Sequence, residues 1–125
     1  MSHFVRMFKP QFADKVASGR KIQTVRPTPA RMPKPGDTIS LRKWEGAPYR
    51  SKQVVLRNSI INAVSSVEIG HGGVYIEGRG MWSDGFAKAD GFKDFPEMLR
   101  WFEEQHGLPF KGILIEWQPK KEPAP

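Results

Sequence analysis

Ser18-Gly19-Arg20-Lys21-Ile22-Gln23-Thr24-Val25-Arg26 is the stretch on which the reading of the fold turns. Ahead of it Phe12, Ala13, Val16 and Ala17 recur at helical spacing behind Pro10, a residue suited to a first helical position, so a two-turn helix is expected there. Gly19 is the natural left-handed residue for that helix's C-terminus, and Ile22 and Val25 suit a strand that begins directly after it. Arg20, Lys21, Thr24 and Arg26 therefore gather at a helix-to-strand junction, where a rigid core can present polar groups to a ligand. On a regular strand positions 21 and 24 point to opposite faces. Both reach one ligand only if Lys21 still lies in the turn after Gly19.

Working outward, Phe4 to Phe8 alternates as a strand with Phe4, Arg6 and Phe8 on one face. Downstream, Pro27, Pro29, Pro33 and Pro35 stiffen a basic loop carrying Arg31 and Lys34, before Thr38 to Arg42 alternates as a strand. Lys43 to Lys52 reads as a loop. Gln53 to Leu56 and Ile60 to Ile69 read as one long strand that bends, or two strands, around Arg57-Asn58-Ser59. Val74 to Glu77 returns from a glycine turn, and Gly78 to Gly85 is a glycine-rich loop with Trp82 at its middle. Asp94 and Glu97 make a capping-box pattern that opens a helix with Phe95, Met98, Leu99 and Phe102 on one face; Gly107 and Pro109 stop it. Gly112 to Trp117 is apolar enough for a central strand. The order β-α-β-β-β-β-α-β predicts a mostly β (α+β) chain with two helices, a small barrel closed by those helices.

Composition sets the outer bounds. A chain of 125 residues is one domain, read as 1–118, with a polar, proline-rich tail over 119–125 expected to be disordered. Net charge is +7 and the isoelectric point about 9.9, which favours polyanionic partners. There is no cysteine, which excludes disulfides, thiolate zinc sites and a cysteine nucleophile. No apolar run is long enough to span a bilayer and the N-terminus lacks a signal-peptide core, so a cytoplasmic monomer without a membrane partner is expected. His3, His71 and His106 are too scattered for a metal cluster, and Gly78 to Gly85 lacks the Lys-Ser/Thr ending of a phosphate loop. No metal and no cofactor are expected.

The pattern Phe8-Lys9-Pro10, Ser18-Gly19-Arg20-Lys21, Thr24-Val25-Arg26, Gly36-Asp37, then Asp90-Gly91-Phe92, Met98, Trp101-Phe102, and finally Gly112 and Ile115-Glu116-Trp117 resembles the ASCH-domain family of the PUA-like superfamily. It covers nearly all of the chain except the tail. The resemblance implies a PUA-like pseudo-barrel, a basic cleft and an RNA-related function. Some members of the family are amidohydrolases that remove the acetyl group from N4-acetylcytidine with a Lys, a Thr and a Glu; others are ribonucleases or RNA binders. The Lys and Thr of that pattern fall on Lys21 and Thr24, and its acid falls on Asp90, one methylene shorter than Glu.

These residues fit the chemistry. A threonine hydroxyl needs a base within hydrogen-bond reach, and a lysine serves once burial and neighbouring cations such as Arg20 and Arg26 lower its pKa. Asp90 would orient Lys21. Arg20, Arg26, Arg31 and Arg79 suit phosphate contacts, and Trp44 and Trp82, in expected loops, suit stacking on an unpaired base. Trp101 and Trp117 read as core, and His106 as a residue favoured by a helix C-terminus. The expected ligand is RNA or a modified nucleoside, with three activities open: N4-acyl cytidine hydrolysis, non-enzymatic RNA binding, or RNA cleavage in the same basic cleft.

Overall fold

The computed structural model describes residues 1–119; of the expected tail, residues 120–125 lie outside the described residues. The elements run β1 (His3–Met7), α1 (Pro10–Ser18), β2 (Gln23–Arg26), β3 (Thr38–Trp44), β4 (Gln53–Gly70), β5 (Gly73–Ile76), β6 (Arg79–Met81), α2 (Ser83–Ala89), α3 (Phe95–His106) and β7 (Phe110–Trp117). The protein is mostly β, as expected, but has three helices and not two. The additional one, α2, occupies the end of the segment read as a glycine-rich loop, and β6 occupies its beginning.

One strand organises the sheet. The first half of β4 pairs with β3 and its second half with β7, so the same chain carries two differently directed groups of strands. Bulges make the turn possible: Leu56 and Asn62 each stand without a partner where the register shifts. The bends thus flank the Arg57-Asn58-Ser59 segment at which sequence alone placed the break. β1 lies parallel to β3, β2 antiparallel to β7, and β5 and β6 extend the other side. The sheet is open, with β1, β2 and β6 each paired on one side only.

The core fills the angle between the two halves. Val16 of α1, Met98 and Phe102 of α3, Ile39 and Leu41 of β3, and Ile115 and Trp117 of β7 are all at most 1% exposed. Asp94 caps α3 as its sequence pattern predicts, its carboxylate accepting from the Glu97 amide at 2.9 Å. Gly112 is where β2 and β7 come closest. A Cβ there would collide with the backbone carbonyl of Arg26 and press on the Phe110 ring. Gly112→Ala is therefore expected to destabilise the fold by about 1–3 kcal/mol through overpacking. Urea unfolding should show a lower midpoint with an unchanged slope.

Candidate functional site

Helix α1 ends on Gly19, whose φ of 85° is in the left-handed region and whose amide returns to the Val16 carbonyl at 3.2 Å. Lys21 then donates its own amide to the Lys15 carbonyl at 2.9 Å, folding the chain back over the last helical turn before β2 begins at Gln23. Lys21 thus lies in the turn and not on the strand. That was the condition for positions 21 and 24 to serve one ligand, and it is met.

The Lys21 side chain enters the protein and is 3% exposed. Its Nζ lies 3.2 Å from Asp90 Oδ1, also donates to the Asp90 carbonyl, and stands 5.1 Å from the centroid of the Phe12 ring. Asp90, 4% exposed, is the residue that ends α2, and its Oδ1 also accepts from Gln23 Nε2 at 3.4 Å. Gly91 permits this approach: a Cβ there would sit 3.1 Å from Phe12 and 3.3 Å from the Lys21 side chain, and its φ is 98°. Lys15 fastens the same segment by donating to the Gly91 carbonyl at 2.6 Å. Asp90 is short for the acid of the resembling family, yet it reaches Lys21.

Burial sets the electrostatics. It pushes the Lys21 pKa below the ordinary lysine value, against the opposing pull of Asp90 and with further lowering from Arg26 and Lys15. Arg20, expected to contribute, is exposed and holds its Nε 3.3 Å from Ser18 Oγ instead. Burial also raises the Asp90 pKa, again opposed by its partner. Arg26 donates from Nε to Thr24 Oγ1 at 3.0 Å and from its terminal nitrogen to the Met7 carbonyl at 2.7 Å. Its guanidinium is lowered to about 10 by burial and by Arg6, so it remains a cation at neutral pH.

These groups share a cleft of about 230 Å³. Lys21, Thr24, Arg26 and Asp90 belong to its polar lining, with Lys9 and Gln105; Phe8, Phe12, Phe92 and Trp101 supply apolar wall. Trp101 is half-buried, packing against the core as expected and lining this cleft as well; Trp117 is fully buried, as expected. His106 also lines the cleft. Its pKa is lowered, by burial first and then by Lys9 and Arg26. Phe12, Phe92 and Trp101 were missed as site residues because their spacing is that of ordinary core positions.

The other expected contacts lie elsewhere. Trp82 is 77% exposed at the start of α2, Trp44 packs on Tyr49 at 5.2 Å beside the β3–β4 turn, and Arg79 is on the exposed strand β6. Arg31 lies over Phe4 at 4.2 Å. None of these four lines the cleft. No group of three or more side chains able to hold a metal ion occurs among the described residues. Nor does any helix among them have the length and apolarity to cross a membrane. No protein-family model, no curated protein and no solved structure matches the chain.

Removing one member of the Lys21–Asp90 pair leaves the other buried without its charged partner. Lys21→Met or Asp90→Asn alone is expected to cost about 3–5 kcal/mol, and the double substitution to recover most of that loss. Denaturant unfolding of the four proteins closes the cycle. Purely additive losses would show that the two groups do not depend on each other.

Proposed function

We propose that this chain is an amidohydrolase that removes the acyl group from the exocyclic amide of a modified cytidine, N4-acetylcytidine being the simplest such substrate. In this reading it is an ASCH-type domain of the PUA-like superfamily, a pseudo-barrel closed by its helices. The observation that carries the proposal is the convergence of Lys21, Thr24 and Asp90, from two distant stretches of the sequence, on one aromatic-walled cleft. The Phe12, Phe92 and Trp101 rings suit a flat heterocycle, which gains by stacking and by leaving water.

The chemistry follows from the side chains. Thr24 Oγ1 accepts from Arg26 and so keeps its own proton available to give. Neutral Lys21 takes that proton as Oγ1 bonds to the acyl carbon. The carbon–nitrogen bond then breaks, the exocyclic nitrogen receives the proton from Lys21, and cytidine leaves with the acyl group esterified to Thr24. Water, giving its proton to Lys21, attacks the ester; the bond from the acyl carbon to Oγ1 breaks, Lys21 returns the proton to Oγ1, and the carboxylic acid departs with Thr24 and neutral Lys21 regenerated. Burial makes the neutral amine accessible below the ordinary lysine pKa, Asp90 fixes where Nζ sits, and the Arg26 cation stabilises charge that develops beside Oγ1.

Chromatography of purified protein incubated with N4-acetylcytidine tests this directly. Turnover should rise with pH, because the base must be neutral, with a midpoint below the lysine value of 10.5. Lys21→Met should slow release by about 10²–10⁴-fold. Thr24→Val should do the same, and the double variant should be no slower than either, since the parts act as a unit. Asp90→Glu is expected to lower turnover, because a longer acid would have to crowd a pair already in contact. Full activity in Thr24→Val would remove the nucleophile. Shortened RNA from a mixed pool, with no cytidine released, would assign the cleft to RNA cleavage; N4-acetylcytidine or RNA bound with neither change would assign it to binding alone.

A further inference from the structure

Three arginines meet along β1, and the one carboxylate that acts on any of them, Asp90 on Arg26, is itself paired with Lys21. The Arg31 guanidinium is 4.2 Å from the centroid of Phe4, that of Arg6 is 5.3 Å from the same ring, and that of Arg26 is 4.9 Å from Phe8. Each donates to a successive odd-numbered carbonyl of the strand: Arg31 to His3 at 3.0 Å, Arg6 to Val5 at 2.9 Å and Arg26 to Met7 at 2.7 Å. The ion pairs among the described residues are Lys21–Asp90 and Lys111–Glu68, and neither includes any of the three.

Stacking on phenylalanine explains where each guanidinium lies, but not why three are aligned. Arg31 repels Arg6 and Arg6 repels Arg26, in each case adding to the lowering that burial causes. A guanidinium has five N–H donors, and one or two of them are used here by the protein. Alternate carbonyls of a strand are spaced by roughly 6.6 Å, so the row is longer than a single phosphate group requires. Its inner end, Arg26, also borders the cleft.

We infer that Arg26, Arg6 and Arg31 form a phosphate-binding row continuing the cleft, so that the substrate is a modified cytidine within single-stranded RNA and not a free nucleoside. This rests on the deacylase reading of the cleft for the identity of the base, while the row itself stands on the arginines alone. The base enters among the aromatic rings, the adjoining phosphate meets Arg26, and successive phosphates run outward to Arg6 and Arg31.

The test compares N4-acetylcytidine, its 5′-monophosphate and a short oligoribonucleotide containing it, in the wild type, Arg6→Gln and Arg31→Gln. Binding of an unmodified oligocytidylate is followed over a range of salt in the same proteins. Arg31 is exposed, so its variant should fold even if Arg6→Gln does not. The wild type is expected to favour the oligonucleotide over the nucleoside by about tenfold or more in kcat/KM, a preference reduced in each variant. The logarithmic salt slope should fall by about 0.7 for each arginine removed, and Arg6→Lys should restore it. Equal kcat/KM for nucleoside and oligonucleotide, with one salt slope in all proteins, would overturn the proposal. A monophosphate as good as the oligonucleotide would reduce the row to a single phosphate site and overturn the RNA assignment. No turnover of any substrate, joined to an arginine-dependent salt slope, would sink the deacylase and keep the row.

Discussion

The buried contact between Lys21 and Asp90 is the constraint on which the site depends. Taking an ammonium and a carboxylate out of water costs several kcal/mol for each, and mutual attraction recovers this only with good geometry and further hydrogen bonds. Here Lys21 also has the Asp90 carbonyl and the Phe12 ring, and Asp90 also has Gln23. Satisfying the pair brings together the end of α1, the start of β2 and the end of α2. Gly19 and Gly91, with their positive φ angles, are what allow those segments to turn and approach. Apolar residues of similar size would hold the same segments at no greater cost, so stability alone is a poor reason for an ion pair here. A lysine held in one place with a lowered pKa is a good reason.

Much of this was legible in sequence where the signal is local. Pro10 and Gly19 bracket α1, Asp94 and Glu97 open α3, and the apolar run of β7 reads as central because it is buried on both faces. Helix α2 escaped notice for a physical reason: it has seven residues, includes Gly85, and buries only Phe86 and Ala87, too little for a helical period to register. The bend of β4 was placed around Arg57-Asn58-Ser59, between the two bulges, but was not resolved into them, since a bulge is defined by the partner strand and Leu56 and Asn62 have no peculiarity of their own.

The site divides in the same way. Lys21, Thr24 and Arg26 could be read from the junction that carries them, and Asp90 from a family resemblance, because no local pattern links position 90 to position 21. Arg20, Arg79, Trp44 and Trp82 were chosen as charges and aromatics in loops, and such residues carry no information about which side of the molecule they occupy. The aromatic wall shows the converse failure. Phe12 and Trp101 lie on apolar helix faces, and the sequence does not distinguish a face that meets the core from one that borders a cleft.

The distribution of charge joins fold to site. Several carboxylates of the described chain serve the main chain and not the cations: Asp37 accepts from the amides of Ser2 and Lys34, Asp84 from Phe95, Asp94 from Glu97, Glu97 from Lys93 and Glu77 from Ser66. These bonds close turns and helix ends, and for Asp37 they hold the carboxyl below the usual range. Acids used in this way neutralise few of the 20 lysines and arginines in the chain. Along β1 the cations are stacked on aromatic rings that position a guanidinium without discharging it. Among the described residues, the acid that does face a buried lysine is Asp90, in the lining of the cleft. A fold that assigns its acids to backbone and leaves these arginines without a salt bridge keeps an attractive field for an anion, and that field leads along β1 to the cleft that holds Lys21.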